Sequence, residues 1–140
     1  MSPYPLRFDV LLTEIALADR LWQSLEQRVL PEMFFYWFPL SVRAWVALCQ
    51  DQHYRNYVRS DRLMQACAKQ IADRMAGEHG DAIDVISLGA GQGTKDLHVL
   101  TALQSGGCQV LYRPVDSGQM LLEMACTQAL EHGMAVHGLK

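Results

Sequence analysis

The residues best equipped for chemistry lie in the turn Gly89-Ala90-Gly91-Gln92-Gly93, which follows the apolar run Ile83-Asp84-Val85-Ile86-Ser87-Leu88 and precedes a helical pattern from Thr94. A glycine-rich turn at such a junction lets the backbone come close to a ligand. The helix behind it offers free N–H groups and the positive end of its dipole. Asp116 closes the next strand-like run, 108–115. Its distance from the loop is close to the roughly 20 residues at which such sheets place an acid for ribose hydroxyls. Loop, strand, helix and acid together point to a ligand that contains a nucleoside. Taken singly, each has a plainer reading: the glycines make a tight turn, and the Asp caps the following helix.

Dinucleotide-binding domains use the same plan with Gly-x-Gly-x-x-Gly, whose third glycine would fall at Thr94; here the spacing is Gly-x-Gly-x-Gly. An NAD-dependent oxidoreductase is therefore the weaker alternative. The stretch from Val85 to Gly93 resembles motif I of class I S-adenosylmethionine-dependent methyltransferases, with Ser87 where many members carry an acid. The longer pattern Leu88-Gly89-Ala90-Gly91-Gln92-Gly93-Thr94-Lys95-Asp96, followed by Tyr112-Arg113-Pro114-Val115-Asp116-Ser117, resembles the histidine-specific methyltransferase family. Its ergothioneine-biosynthesis member trimethylates the α-amino group of histidine. In that family a Leu-Gly-x-Gly loop is followed by a lysine, and a Tyr-x-Pro-x-Asp segment carries the ribose-binding acid.

The resemblance implies S-adenosyl-L-methionine as cofactor and a small-molecule methyl acceptor such as an amino acid, methylated on nitrogen. It implies close approach of the cofactor to Gly89, with Ala90 and Gly91 in the same loop, a contact from Lys95 to the cofactor carboxylate, and ribose binding at Asp116 beside Ser117. It also implies a cofactor contact from Tyr57, in the tyrosine-bearing stretch His53-Tyr54-Arg55-Asn56-Tyr57. Plain packing of an amphipathic ring is the alternative there. Lys95 has a bland reading too, since a first-turn lysine usually faces solvent and opposes the dipole; an anion above it would remove that cost, as would Asp96 next door. No catalytic residue is assigned.

The elements that must position these groups fall into two regions. Over 9–30 the apolar residues Val10, Leu11, Ile15, Leu17, Leu21, Leu25 and Leu30 recur at mostly three- and four-residue steps and predict an amphipathic helix that Pro31 closes. An aromatic cluster from Met33 to Phe38 follows, which reads as packing before a cation-binding cage. Ser41 and Ser60 are the expected N-caps of two further helices, the second ended by Gly77 and Gly80. Beyond Gly80 the period changes to strand 83–88, helix 94–104, strand 108–115, a helix from Ser117 ended by Gly133, and a third strand over 134–139. The fold class is α/β: a helical cap over 1–80, then a Rossmann-like β-α-β-α-β half over 81–140, apparently truncated against the seven strands of the resembling family. That family draws its acceptor-binding residues from the later strands. A non-catalytic nucleoside-binding or interaction protein is thus the alternative to an enzyme, and self-association through the exposed sheet edge is expected.

Composition narrows the partners. With 140 residues, half of them hydrophobic, and a net charge of -3, the chain has material for a real core and no basic footprint for nucleic acid. No run approaches the length of a membrane span, and no apolar leader opens the chain, so a cytoplasmic location is the default. The four cysteines and five histidines show no metal-ligand spacing, and no metal is expected.

Overall fold

In the computed structural model, which describes residues 6–140, the chain opens with β1 (Phe8–Asp9), α1 (Glu14–Glu26), a 3-10 turn (Glu32–Tyr36), α2 (Pro39–Gln50) and α3 (Arg55–His79). It continues through β2 (Ala82–Leu88), α4 (Thr94–Ser105), β3 (Gln109–Val115), α5 (Gln119–Glu131), β4 (Ala135–Val136) and β5 (Gly138–Leu139). Every strand pairing is parallel. β3 is central, with β2 on one side and the short β4 and β5 on the other, while β1 pairs outside β5. The βα units from β2 onward form a partial Rossmann-like sheet, the expected α/β class.

Strand alternation sorts the side chains. Ile83 and Val85 of β2 stand in register with Val110 and Tyr112 of β3. This face is covered by α4 and α5, because successive crossovers that step in one direction leave their helices on the same side, and by α3, which packs on it through Ala68 and Ala72. Leu100, Tyr112, Leu122, Ala125, Cys126 and Val136 form one buried cluster, and Ala68, Ala72, Ile83, Val99 and Leu103 form another. Val85 and Val110 pack against both. The opposite face is bare: Ile86 is 63% and Leu88 80% exposed.

The N-terminal helices depart from expectation. Phe8 and Asp9 pair with Gly138 and Leu139 rather than starting a helix. α1 begins at Glu14, where the Thr13 hydroxyl accepts from Ala16 N at 3.2 Å. Leu17 is buried in α1, but Ile15 and Leu25 are exposed, so the apolar stripe is only partly used. Ser41 and Ser60 are not caps. α2 starts at Pro39, whose missing N–H costs nothing at a helix start, and Ser41 Oγ donates back to Phe38 O at 2.8 Å. α3 starts at Arg55, and Ser60 Oγ donates to Tyr57 O at 2.9 Å. Gly77 lies inside α3, whereas Gly80 ends it at φ 80°. The expected third strand is interrupted at His137 into β4 and β5.

Candidate functional site

The cofactor-loop candidates gather where β2 and β3 end. Gly89 N and Ala90 N both donate to Val115 O, at 2.9 and 3.2 Å, which stitches the loop to the last residue of β3. Gly89, Gly91 and Gly93 have φ of 68°, 56° and 79°, a region that side chains with a Cβ rarely enter. Gly93 is also needed for space, since a Cβ there would stand 2.9 Å from Ala125 Cβ on α5. At Gly89 and Gly91 nothing lies within 4 Å of a built Cβ, so the loop is open where a ligand would approach.

Asp116 does more than end a strand. One carboxylate oxygen accepts from Gly91 N at 2.8 Å and the other from Gly118 N at 2.8 Å. The acid therefore bridges the glycine loop to the start of α5, and each oxygen keeps a further lone pair for a hydroxyl donor. Gly118 is the N-cap of α5 and the helix has no side-chain cap bond, so Asp116 makes an Asx-type turn into the helix rather than capping it.

A cavity of about 680 Å³ opens beside it, lined on one side by Gly89, Gly91, Val115, Asp116, Ser117 and Leu121. The other wall comes from the N-terminal region: Leu12, Glu32, Met33, Tyr36 and Trp45, with Lys140. Tyr36 and Trp45 meet edge to face at 5.2 Å, and Trp45 meets Tyr54 at 6.0 Å. Burial, reinforced by the Glu32 carboxylate, pushes the Tyr36 phenol above its usual range. Lys140 has a buried side chain that pairs with Glu14. That hydrogen bond, and then one from Trp37 Nε1 at 2.9 Å, hold the Glu14 carboxyl below the usual range.

Tyr57, Ala90 and Lys95 do not line this cavity, but Tyr57 and Lys95 come together. Lys95 Nζ lies 5.2 Å from the Tyr57 ring centroid, a cation–π distance, and Gln92 Nε2 donates to the Tyr57 hydroxyl at 3.3 Å. The first turn of α3 is thereby tied to the loop. Nothing in the local sequence pattern places Glu32, Met33, Tyr36, Trp45 and Lys140 around the loop. The aromatic cluster was the one visible signal, and it reads equally as packing.

A second cavity, of about 520 Å³, touches the opposite ends of the strands at Ala82, Ile83, Gln109 and Ala135. In open α/β sheets ligands bind outside the carboxyl ends of the strands, which favours the cavity at Asp116.

The family model described as "Histidine-specific methyltransferase, SAM-dependent" matches residues 17–140. The chain belongs to this family. A search of curated proteins returns no match. Membership of a family of S-adenosylmethionine-dependent methyltransferases implies that cofactor, and it favours it over the dinucleotide. The residues present fit such a group: an open glycine loop, an acid with spare lone pairs, and a cavity within the roughly 300–1,000 Å³ usual for small-molecule sites. Among the described residues no helix is long and apolar enough to cross a membrane.

Proposed function

We propose that this chain binds S-adenosylmethionine at the carboxyl edge of its sheet and serves the N-methylation of a small molecule, an amino acid such as histidine being the acceptor class that the family suggests. The observation that carries the reading is the Asp116 carboxylate, fixed by two backbone amides at 2.8 Å on the rim of the cavity that the open glycine loop shares. In this reading residues 1–80 are a cap, apart from β1, which pairs in the sheet, and α3, which packs on it, and residues 81–140 are the cofactor-binding region, working in the cytoplasm with free cysteines.

When bound, the cofactor supplies an activated methyl group, so the chain's own work is positioning and exclusion of water. Asp116 would receive the ribose hydroxyls, with Ser117 beside it. The backbone of Gly89, Ala90 and Gly91 would allow close approach, and Lys95, held over the Tyr57 ring, would be the cation for the carboxylate end. Tyr36 and Trp45 form the apolar wall that keeps water from the transferring group.

Calorimetry with S-adenosylhomocysteine tests the reading on the full chain. Asp116→Asn keeps a carbonyl acceptor for one amide but removes the charge, and it should weaken binding about tenfold, as for loss of a charged hydrogen-bond partner. Its Tm should stay within a few degrees of the parent. Equal loss of binding and Tm would reduce Asp116 to a structural bridge, and binding of NAD without S-adenosylhomocysteine would overturn the assignment.

The β2 edge, unpaired among the described residues and with Ile86 and Leu88 exposed beside it, supports a second proposal: self-association of two copies through that edge. Sedimentation that shows a monomer across the micromolar range would refute it.

A further inference from the structure

Lys95 and Asp96 are neighbours in the first turn of α4, and their charges would cancel if the side chains met. Successive helix residues project about 100° apart, and here each side chain also has a partner of its own. The Tyr112 hydroxyl donates to Asp96 Oδ2 at 2.6 Å, while Lys95 extends over the Tyr57 ring. Among the described residues Lys95 enters no ion pair with a carboxylate.

Tyr112 is well placed to hold the acid. It is 0% exposed, in the middle of β3, and its hydroxyl would lie 3.4 Å from a Cβ built on Gly93, directly against the loop. Burial first, and the Asp96 carboxylate second, push its phenol far above the usual range, so it remains a donor. A short O–H to carboxylate bond in such surroundings is stronger than a neutral one.

We infer that Tyr112 is a positioning residue: by sequestering the Asp96 carboxylate beneath the glycine loop, it leaves the Lys95 ammonium available to the anionic end of the bound ligand. The inference rests on the S-adenosylmethionine reading for the identity of that anion, whereas the separation of Lys95 from Asp96 stands on geometry alone.

Two ligands and three variants test it in the full chain. S-adenosylhomocysteine carries the amino-acid carboxylate, and 5′-methylthioadenosine carries the same nucleoside without it. Tyr112→Phe removes only the hydroxyl and frees Asp96 to turn to Lys95. It should weaken S-adenosylhomocysteine about tenfold and leave methylthioadenosine within about twofold, by loss of one charge-assisted contact. Adding Asp96→Asn in the double variant should restore most of the loss. Equal weakening of both ligands, or no recovery in the double variant, overturns the inference and makes Tyr112 a core residue only. If Tyr112→Phe fails to fold, Asp96→Asn alone decides: binding as tight as the parent supports the inference, and a loss specific to S-adenosylhomocysteine overturns it. A parent chain that binds neither ligand would sink the cofactor reading instead. The ligand-free crystal structure of Tyr112→Phe then judges the separation itself, with Lys95 Nζ within 4 Å of Asp96 as the expected result and Lys95 still over Tyr57 as the refuting one.

Discussion

The two faces of the sheet are built from alternate residues of the same strands, yet they hold together by different physics. On the covered face Ile83, Tyr112 and Val136 are within 5% of full burial, packed under three helices. On the bare face a polar ladder crosses the strands. Asp84 accepts from Arg113 Nε at 2.8 Å, Arg113 Nη1 meets His137 Nδ1 at 3.3 Å, and His137 Nε2 lies 2.9 Å from Asp9. The covered face draws on removal of apolar surface from water, which grows with area buried. The ladder draws on exposed charge, which water and salt weaken. The site takes its precision from the first face: Tyr112 and Ala125 both press on the loop at Gly93 from that side.

The sharpest way to break this contrast is to cut one residue from each face. Leu122→Ala, at a position 0% exposed, should lower unfolding free energy by about 2–5 kcal/mol in urea titration, whereas Ile86→Ala should stay within about 0.5 kcal/mol. Similar losses for both would mean that something covers the bare face in solution. Next in size is Gly93→Ala. It combines a left-handed backbone at φ 79° with a 2.9 Å approach to Ala125, for a cost of about 2–4 kcal/mol and a parallel drop in S-adenosylhomocysteine affinity. A neutral effect would show that the loop is not wedged on α5. Smallest is Arg113→Ala, which removes the centre of the ladder and should cost under about 1 kcal/mol, less again in 1 M salt. A loss that is larger and insensitive to salt would place the ladder in a drier setting than an open face.

Legibility in the sequence follows the same division. β2, β3, α4 and α5 were readable because each couples a burial period to a glycine boundary. The loop and Asp116 were readable because strand, turn, helix and acid occur in a fixed order. β1 was not, since a two-residue strand has no period and its partner lies at the far end of the described chain. The two misassigned caps share one cause. A serine near a helix start can accept from an amide ahead or donate to a carbonyl behind, and Ser41 and Ser60 both donate backward. On the cap side of the site, Glu32, Tyr36 and Trp45 converge on the loop only through tertiary packing, which local pattern does not encode. Asp116 was expected at the site, but its bond to Gly91 N depends on two loops meeting.

The pairing of β1 with β5 also has a kinetic consequence. Phe8 sits against Gly138 so closely that a Cβ there would come within 2.7 Å of its ring, and Leu11 N and Leu12 N donate to Lys140 O at 2.9 and 3.1 Å. Closing that junction joins segments separated by almost the whole described chain, so its loop-closure entropy is large and its formation is expected to follow that of the intervening βα units. Leu12 and Lys140 are both walls of the cavity. The ligand pocket is then expected to be among the last parts of the molecule completed during folding, so that ligand binding reports the finished fold.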